Sequence, residues 1–513
     1  MRRNSEATPL VAAVDGDSVR SRSVQRKSQR SGTRPALLVA AGVALLLTFA
    51  FVVHEDSSLS SSPAADKGLK GAVDDAVETV DAAGPKVSAG EKEEPFFCGF
   101  SGHETGYIKL PNKDDDHYFY WFVASRSAPE KDPLVLWLTG GPGCSSMMAL
   151  LAENGPCHVQ PDLSTKINPY SWNREANVIW LDQPTAVGYS YGPDVDYDSG
   201  ELDVGENIYW FLQEFLQKHP ELADREFFVT GESYGGHYVP AAARYIVQAN
   251  MLRQLNPDTI HINLAGIAVG NGLTDPAVQY QHSVDMAFNS YNVSLLDEEQ
   301  IEDMRQAQPV CHELILQCQK DRLTCFDAME FCFGTLEGPY YKAGRNPYDI
   351  RESCDEEDVM KCFHFEHIDE YLNSPVVLTE LGIDTDKSKP WRECDATVGA
   401  GFALDEMLSF ADDVKLLLQS GVRVLIYAGD ADLMCNWVGN QAWVMALDWS
   451  GKTSFNDAPN RPFVTSEVED AGRVRSFENL AFIRVFNSGH MVPMDQPAVS
   501  FEMINKFFHD EDF

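Results

Sequence analysis

Glu226-Phe-Phe-Val-Thr230, then Gly231-Glu232-Ser233-Tyr234-Gly235, then His237-Tyr-Val-Pro-Ala-Ala-Ala-Arg-Tyr-Ile-Val-Gln248 is the stretch whose reading decides the fold. A short apolar run leads into a serine set between glycines, and a helix-compatible segment leads out. Strand, sharp turn and helix is the context in which a G-x-S-x-G pentapeptide carries chemistry, because the turn lifts the serine hydroxyl above the strand ends. The flanking glycines allow a tight backbone approach that larger side chains would block. Five residues of this kind are common in loops, so their weight depends on partners elsewhere in the chain.

Two later motifs supply those partners: Asp432 in Gly429-Asp-Ala-Asp432 and His490 in Gly489-His-Met-Val-Pro493. Serine, aspartate, histidine, in that order and with these gaps, is the arrangement of an α/β hydrolase and of none of the other common serine-hydrolase orders. Ser233, Asp432 and His490 are therefore the candidate triad. Ser233 would attack a carbonyl, His490 would move the proton, and Asp432 would hold the imidazole in the productive tautomer. Asp430 is the rival acid.

The rest of the chain agrees with an α/β fold built on a central, mostly parallel sheet. Continuous apolar runs at 133–138, 177–182, 226–230, 262–269, 423–427 and 481–486 read as strands covered on both faces. Helical stretches such as 205–216 lie between them, which is the alternation that makes parallel sheets. An antiparallel pair, 105–110 with 118–123, is expected at the edge. Between Pro276 and Cys394 the strand signals stop, and charged helical segments and cysteines take over. This predicts a helical, disulfide-rich cap insertion, 277–395, placed to cover the site and exclude water.

Composition bounds the function. A formal charge of −38 and an isoelectric point near 4.6 exclude a nucleic-acid binder, which needs a basic surface. The same acidity suits a lumen of low pH. Residues 1–34 read as a cytosolic basic tail and 35–53 as a transmembrane signal-anchor, since 36–53 is uncharged and long enough to span a bilayer. Residues 54–94 read as a disordered stalk or pro-segment. Residues 95–513 form the hydrolase domain. The expected location is membrane-anchored with the catalytic domain lumenal, in a vacuole, lysosome or secretory compartment, or released by cleavage.

Five of the eleven cysteines lie between Cys311 and Cys354, a density that points to an oxidising compartment. Cys311, Cys318, Cys325 and Cys332 are each seven apart, not in C-x-x-C pairs, so no metal site is expected. Asn292-Val-Ser294 is an N-glycosylation acceptor that fits the same compartment.

Trp137-Leu-Thr-Gly-Gly-Pro-Gly-Cys-Ser-Ser146, Leu181-Asp-Gln-Pro184, Gly231-Glu-Ser-Tyr-Gly235, Gly270-Asn-Gly-Leu-Thr-Asp275 and Gly489-His-Met-Val-Pro-Met-Asp-Gln-Pro497 together resemble the serine carboxypeptidases. Gly344-Arg-Asn-Pro-Tyr-Asp-Ile-Arg351 and Asp432-Leu-Met-Cys-Asn-Trp437 resemble the carboxypeptidase Y-like branch of that family. The resemblance runs from about Phe96 to Phe513. It implies removal of C-terminal residues from peptides and proteins in acid, with an apolar preference and no cofactor.

Residue by residue, the resemblance implies an oxyanion hole at the amides of Gly141 and Tyr234. It implies a substrate-carboxylate site of Thr139, Gly140, Glu153 and Glu232, in which one of the paired acids keeps its proton and donates a hydrogen bond to the substrate carboxylate. Thr139 stands where the family pattern has asparagine, a shorter arm with one donor in place of two. Cys435, as a free thiol, and Met491 would line the leaving-residue pocket. The implied disulfides are Cys144–Cys394, Cys311–Cys332, Cys318–Cys325 and Cys354–Cys362, with the pairing of Cys98 and Cys157 open. The implied partners are peptide C-termini, the membrane through the N-terminal helix, and a second copy in a homodimer, with no nucleic acid. Acyl transfer or ester hydrolysis on the same triad is the alternative activity. A purely non-catalytic partner role would need a broken triad, and this one is whole.

Overall fold

The computed structural model describes residues 97–99, 102–354 and 359–513. The expected tail, anchor and stalk (1–34, 35–53 and 54–94) lie outside the described residues. Among those described, no helix is long and apolar enough to cross a membrane.

One sheet of ten strands organises the domain: β1 His103–Lys109, β2 His117–Val123, β3 Leu134–Leu138, β4 Asn177–Leu181, β5 Phe227–Glu232, β6 Leu264–Gly270, β7 Arg423–Gly429, β8 Arg461–Phe463, β9 Gly472–Phe477 and β10 Leu480–Val485. Across the sheet they lie in the order β1-β2-β4-β3-β5-β6-β7-β10-β9-β8. The six from β4 to β10 in this order pair in parallel, and an antiparallel pair closes each edge. All six apolar runs and the expected edge pair are strands, with ends shifted by one to a few residues.

Alternation along a strand sends side chains to opposite faces, and β3 shows it. Leu134, Leu136 and Leu138 join one core with Phe211 and Phe215 of α1 (Glu201–Lys218) and Val239 of α2 (Gly235–Met251). Val135 and Trp137 join the other core with Trp172 and Phe508, and the Trp137 and Trp172 rings meet edge to face at 5.1 Å. With both faces covered, β3 and β5 have no exposed position, which is why their sequences run apolar without a break.

Strands β8 and β9 have no counterpart among the apolar runs. In Gly472-Arg-Val-Arg-Ser-Phe477 only alternate residues face the core, and arginines break the apolar run on the other face. Such charges also protect a sheet edge from pairing with other chains.

Between β6 and β7 the chain is mostly helical, including α3 (Glu298–Cys318) and α4 (Cys325–Cys332). Asp297 begins α3 with a reciprocal capping box to Gln300, satisfying two donors that a helix start leaves free. The expected loss of all strands in this insertion is corrected by a small ribbon, Arg345–Asn346 paired with Asp349–Ser353. Its turn reaches the candidate triad: Tyr348 O accepts from His490 N at 2.8 Å, and Pro347 O accepts from Leu433 N at 3.0 Å.

Candidate active site

Strand β5 ends at Glu232, α2 begins at Gly235, and Ser233 takes the turn between them with φ of +62°. A side-chain-bearing residue rarely adopts this conformation, and it costs of order 1–3 kcal/mol unless its surroundings fix it. The surroundings do so with three backbone hydrogen bonds. Ser233 N donates to Gly270 O at 3.1 Å, while Ser233 O accepts from Gly236 N at 2.9 Å and Leu273 N at 3.0 Å.

The glycine loop after β3 lies directly against this elbow. A Cβ on Gly140 would stand 2.3 Å from Tyr234 N and 2.9 Å from Ser233 Cβ, so only glycine fits. Gly141 has φ of +113°. The loop and the Tyr234 amide are thus side by side, next to the serine.

His490 Nδ1 and Asp432 Oδ2 are 2.8 Å apart, and both side chains are buried. Asp430 is elsewhere, bound to Arg484 Nη2 at 2.9 Å, to Asn487 N at 3.0 Å and to the Tyr291 hydroxyl. Asp432 also accepts from Asn271 Nδ2 at 2.8 Å, Cys435 N at 3.1 Å and Met434 N at 3.1 Å. Asn271 follows Gly270, whose carbonyl holds the elbow, so the end of β6 ties Ser233 to Asp432. Ser233 Oγ and His490 make no hydrogen bond with each other here, while the His490–Asp432 bond is formed; bonds of the former kind are often long before substrate tightens them. Asn271 lies within one of the family motifs, yet the sequence alone assigns it no role. Its signal appears only once β6 and β7 are seen to be neighbours.

Glu153 and Glu232 are both buried and face one another. Both oxygens of Glu153, and Oε2 of Glu232, lack a hydrogen-bond donor from other protein groups. Two ionised carboxylates cannot donate to one another, whereas one retained proton makes an O–H···O bond between them. Burial, followed by the charge of Glu153, pushes the Glu232 carboxyl well above the usual range, and burial raises Glu153 too. Thr139, next to Gly140, is buried, and its hydroxyl oxygen accepts from Trp137 Nε1 at 2.9 Å. That bond leaves the hydroxyl hydrogen as its single donor.

Cys435 is free and lines a cavity with Leu336, Glu337 and Tyr341, while Met491 is buried beside His490 and does not line that cavity. That cavity thus includes one of the two residues expected at the leaving-residue pocket. Tyr348 packs edge to face on His490 at 5.1 Å and stacks obliquely on Phe363 at 5.0 Å, giving the histidine an aromatic wall.

The eleven cysteines form Cys98–Cys157, Cys144–Cys394, Cys311–Cys332, Cys318–Cys325 and Cys354–Cys362, leaving Cys435. Asn292 is exposed, just after a turn, with φ of +56°. Among the described residues, no group of three or more His, Cys, Asp or Glu side chains is arranged to hold a metal ion.

Comparison with known proteins gives a family. The peptidase S10 family, described as serine carboxypeptidase, matches residues 95–510. A serine carboxypeptidase-like protein of Oryza sativa subsp. japonica is 40% identical over 412 residues, covering 79% of this chain and 92% of that protein. Carboxypeptidase Y of Candida albicans is 40% identical over 409 residues, covering 79% and 72%. The crystal structure of Kex1(delta)p, a prohormone-processing carboxypeptidase from Saccharomyces cerevisiae, is similar at a TM-score of 0.70 and 28% identity, covering 80% of this chain and 91% of that one. The chain belongs to the serine carboxypeptidase family and is a peptide hydrolase of that family.

Proposed function

We infer that the enzyme removes C-terminal residues from peptides in acid through a triad of Ser233, His490 and Asp432. Ser233 Oγ attacks the last peptide carbonyl as His490 takes its proton. The amides of Tyr234 and Gly141 hold the developing oxyanion. His490 returns the proton to the leaving amine, and water then repeats the sequence on the acyl-enzyme. Asp432, fixed by Asn271 and two backbone amides, orients the imidazole and stabilises its charged form.

The observation that carries the exopeptidase and acid reading is the buried Glu153–Glu232 pair beside the nucleophile. A carboxyl that keeps its proton donates to the substrate's terminal carboxylate, with Gly140 and Thr139 alongside. Once both acids ionise, like charges meet and recognition fails. Met491 beside His490 and Tyr348 packed on it, with Phe363 behind Tyr348, support an apolar preference for the leaving residue. Esterase or acyl-transfer chemistry would not need the acid pair, and no observation here favours it. A lumenal, acidic setting with attachment through 35–53 and a glycan on Asn292 completes the reading, and it rests on the sequence and the disulfides.

Incubation of a peptide and of its C-terminal amide, followed by mass spectrometry, tests this. Stepwise loss from the free acid, sparing of the amide, and no loss from either with Ser233→Ala is the expected result. Equal trimming of acid and amide would contradict it.

A further inference from the structure

The cavity bounded by Cys435 adjoins the catalytic groups. Leu273 in its wall donates its amide to Ser233 O at 3.0 Å, and the Cys435 amide donates to Asp432 Oδ2 at 3.1 Å. None of Thr139, Gly140, Glu153 or Glu232 lines it. If the terminal carboxylate sits at the acid pair, as the proposed function has it, the leaving residue occupies that side of the serine. The cavity is then left for the residue on the acyl side of the scissile bond.

Its wall is mainly aromatic and aliphatic, with Gln279, Ser283 and Asn436 as neutral polar members and Glu337 as its one carboxyl. Tyr280 donates to Glu337 Oε1 at 2.6 Å and Tyr341 to Oε2 at 3.1 Å, so both oxygens are held at fixed positions. Among the described residues Glu337 has no lysine, arginine or histidine partner; the other acid within electrostatic reach is Glu406, whose own carboxyl burial pushes up to about 8. Tyr341 is 44% exposed, so the tyrosine–carboxyl unit reaches solvent. Burial raises the Glu337 carboxyl to about 7, and an incoming cation would favour its ionised form. Aromatic faces, aliphatic side chains and one oriented carboxyl complement an alkyl chain that ends in a positive charge.

The geometry points to Glu337, braced by Tyr280 and Tyr341, as a specificity residue that selects lysine or arginine on the acyl side of the scissile bond. The enzyme would then favour chains in which a basic residue precedes the last one, alongside an apolar leaving residue.

Four N-blocked dipeptides ending in leucine, with lysine, arginine, norleucine or glutamate before it, test the assignment at about pH 6. Norleucine has the lysine stem without the amine. In the wild type, kcat/KM for lysine should exceed that for norleucine by roughly tenfold or more, and Glu337→Gln should collapse that ratio toward one. A wild-type ratio of one or less overturns the proposal without recourse to any variant. So does a ratio that Glu337→Gln leaves unchanged. Serine-dependent cleavage of the norleucine substrate with no lysine preference would sink this assignment alone. Failure to cleave any free-acid dipeptide would sink the proposed function as well.

Discussion

Asp432 accepts hydrogen bonds from four donors, Asn271 Nδ2, Met434 N, Cys435 N and His490 Nδ1, whereas Glu153 and Glu232 have between them little beyond each other. All three carboxyls are almost fully buried. Burial alone penalises a carboxylate's charge, and the neighbours decide whether that charge is kept or lost. Donors around Asp432 stabilise a negative group that can face an imidazolium. The absence of donors around the glutamates favours a retained proton, which is what recognition of another carboxylate requires. On the proposed reading, one site holds a charged acid and a protonated acid pair for opposite tasks, and the distinction lies in backbone amides and one asparagine.

Breaking the first half of this contrast has the largest expected effect. Asp432→Asn removes the charge and favours the wrong imidazole tautomer, and kcat should fall by about 10⁴ for peptide and ester alike. A loss below about tenfold would remove Asp432 from the triad. Breaking the second half is milder and selective. Glu232→Gln, or Glu153→Gln, should lower kcat/KM for free-acid peptides by roughly 10- to 100-fold and leave ester substrates with a blocked terminus little changed. Equal losses on both substrates would mean that the pair supports the elbow and not the terminal carboxylate.

The retained protons also bear on stability. Burial raises Asp182 and Glu337 to about 7, Glu406 to about 8, and Asp405 and Asp495 to about 6. In the unfolded chain these acids titrate near pH 4, so between roughly pH 4 and 8 the folded state binds more protons and stability falls as pH rises. The apparent Tm should therefore drop by several degrees between about pH 5 and about pH 8. A Tm that rises over this interval would show that these acids are not protonated in the fold. The smallest effect is expected at Thr139, whose hydroxyl has one hydrogen to offer once Trp137 Nε1 occupies its oxygen. Thr139→Asn should lower KM for free-acid peptides by a few-fold, because an amide brings two donors. An unchanged KM would exclude Thr139 from the carboxylate site.

Much of this is legible in the chain because burial on both faces writes itself as an unbroken apolar run. That is how β3, β5 and the elbow can be read directly. Strands β8 and β9 cannot, since their arginines interrupt the pattern on the solvent side. The ribbon at 345–353 is hidden for another reason: it is short, and its purpose is contact with His490 and Leu433, far away in sequence. Asn271 and Glu337 are silent in the same way. Each becomes informative only when the fold brings β7 beside β6, or the insertion beside Cys435.

The contrast between the two buried acid sites is tested most directly by a pH series from about 4 to about 8 on one blocked dipeptide and its ester with a blocked terminus. The account predicts that kcat/KM for the free acid falls as pH rises while ester cleavage persists, and that Glu232→Gln flattens the free-acid profile. Parallel profiles for acid and ester, or a free-acid profile that Glu232→Gln leaves unmoved, would contradict it.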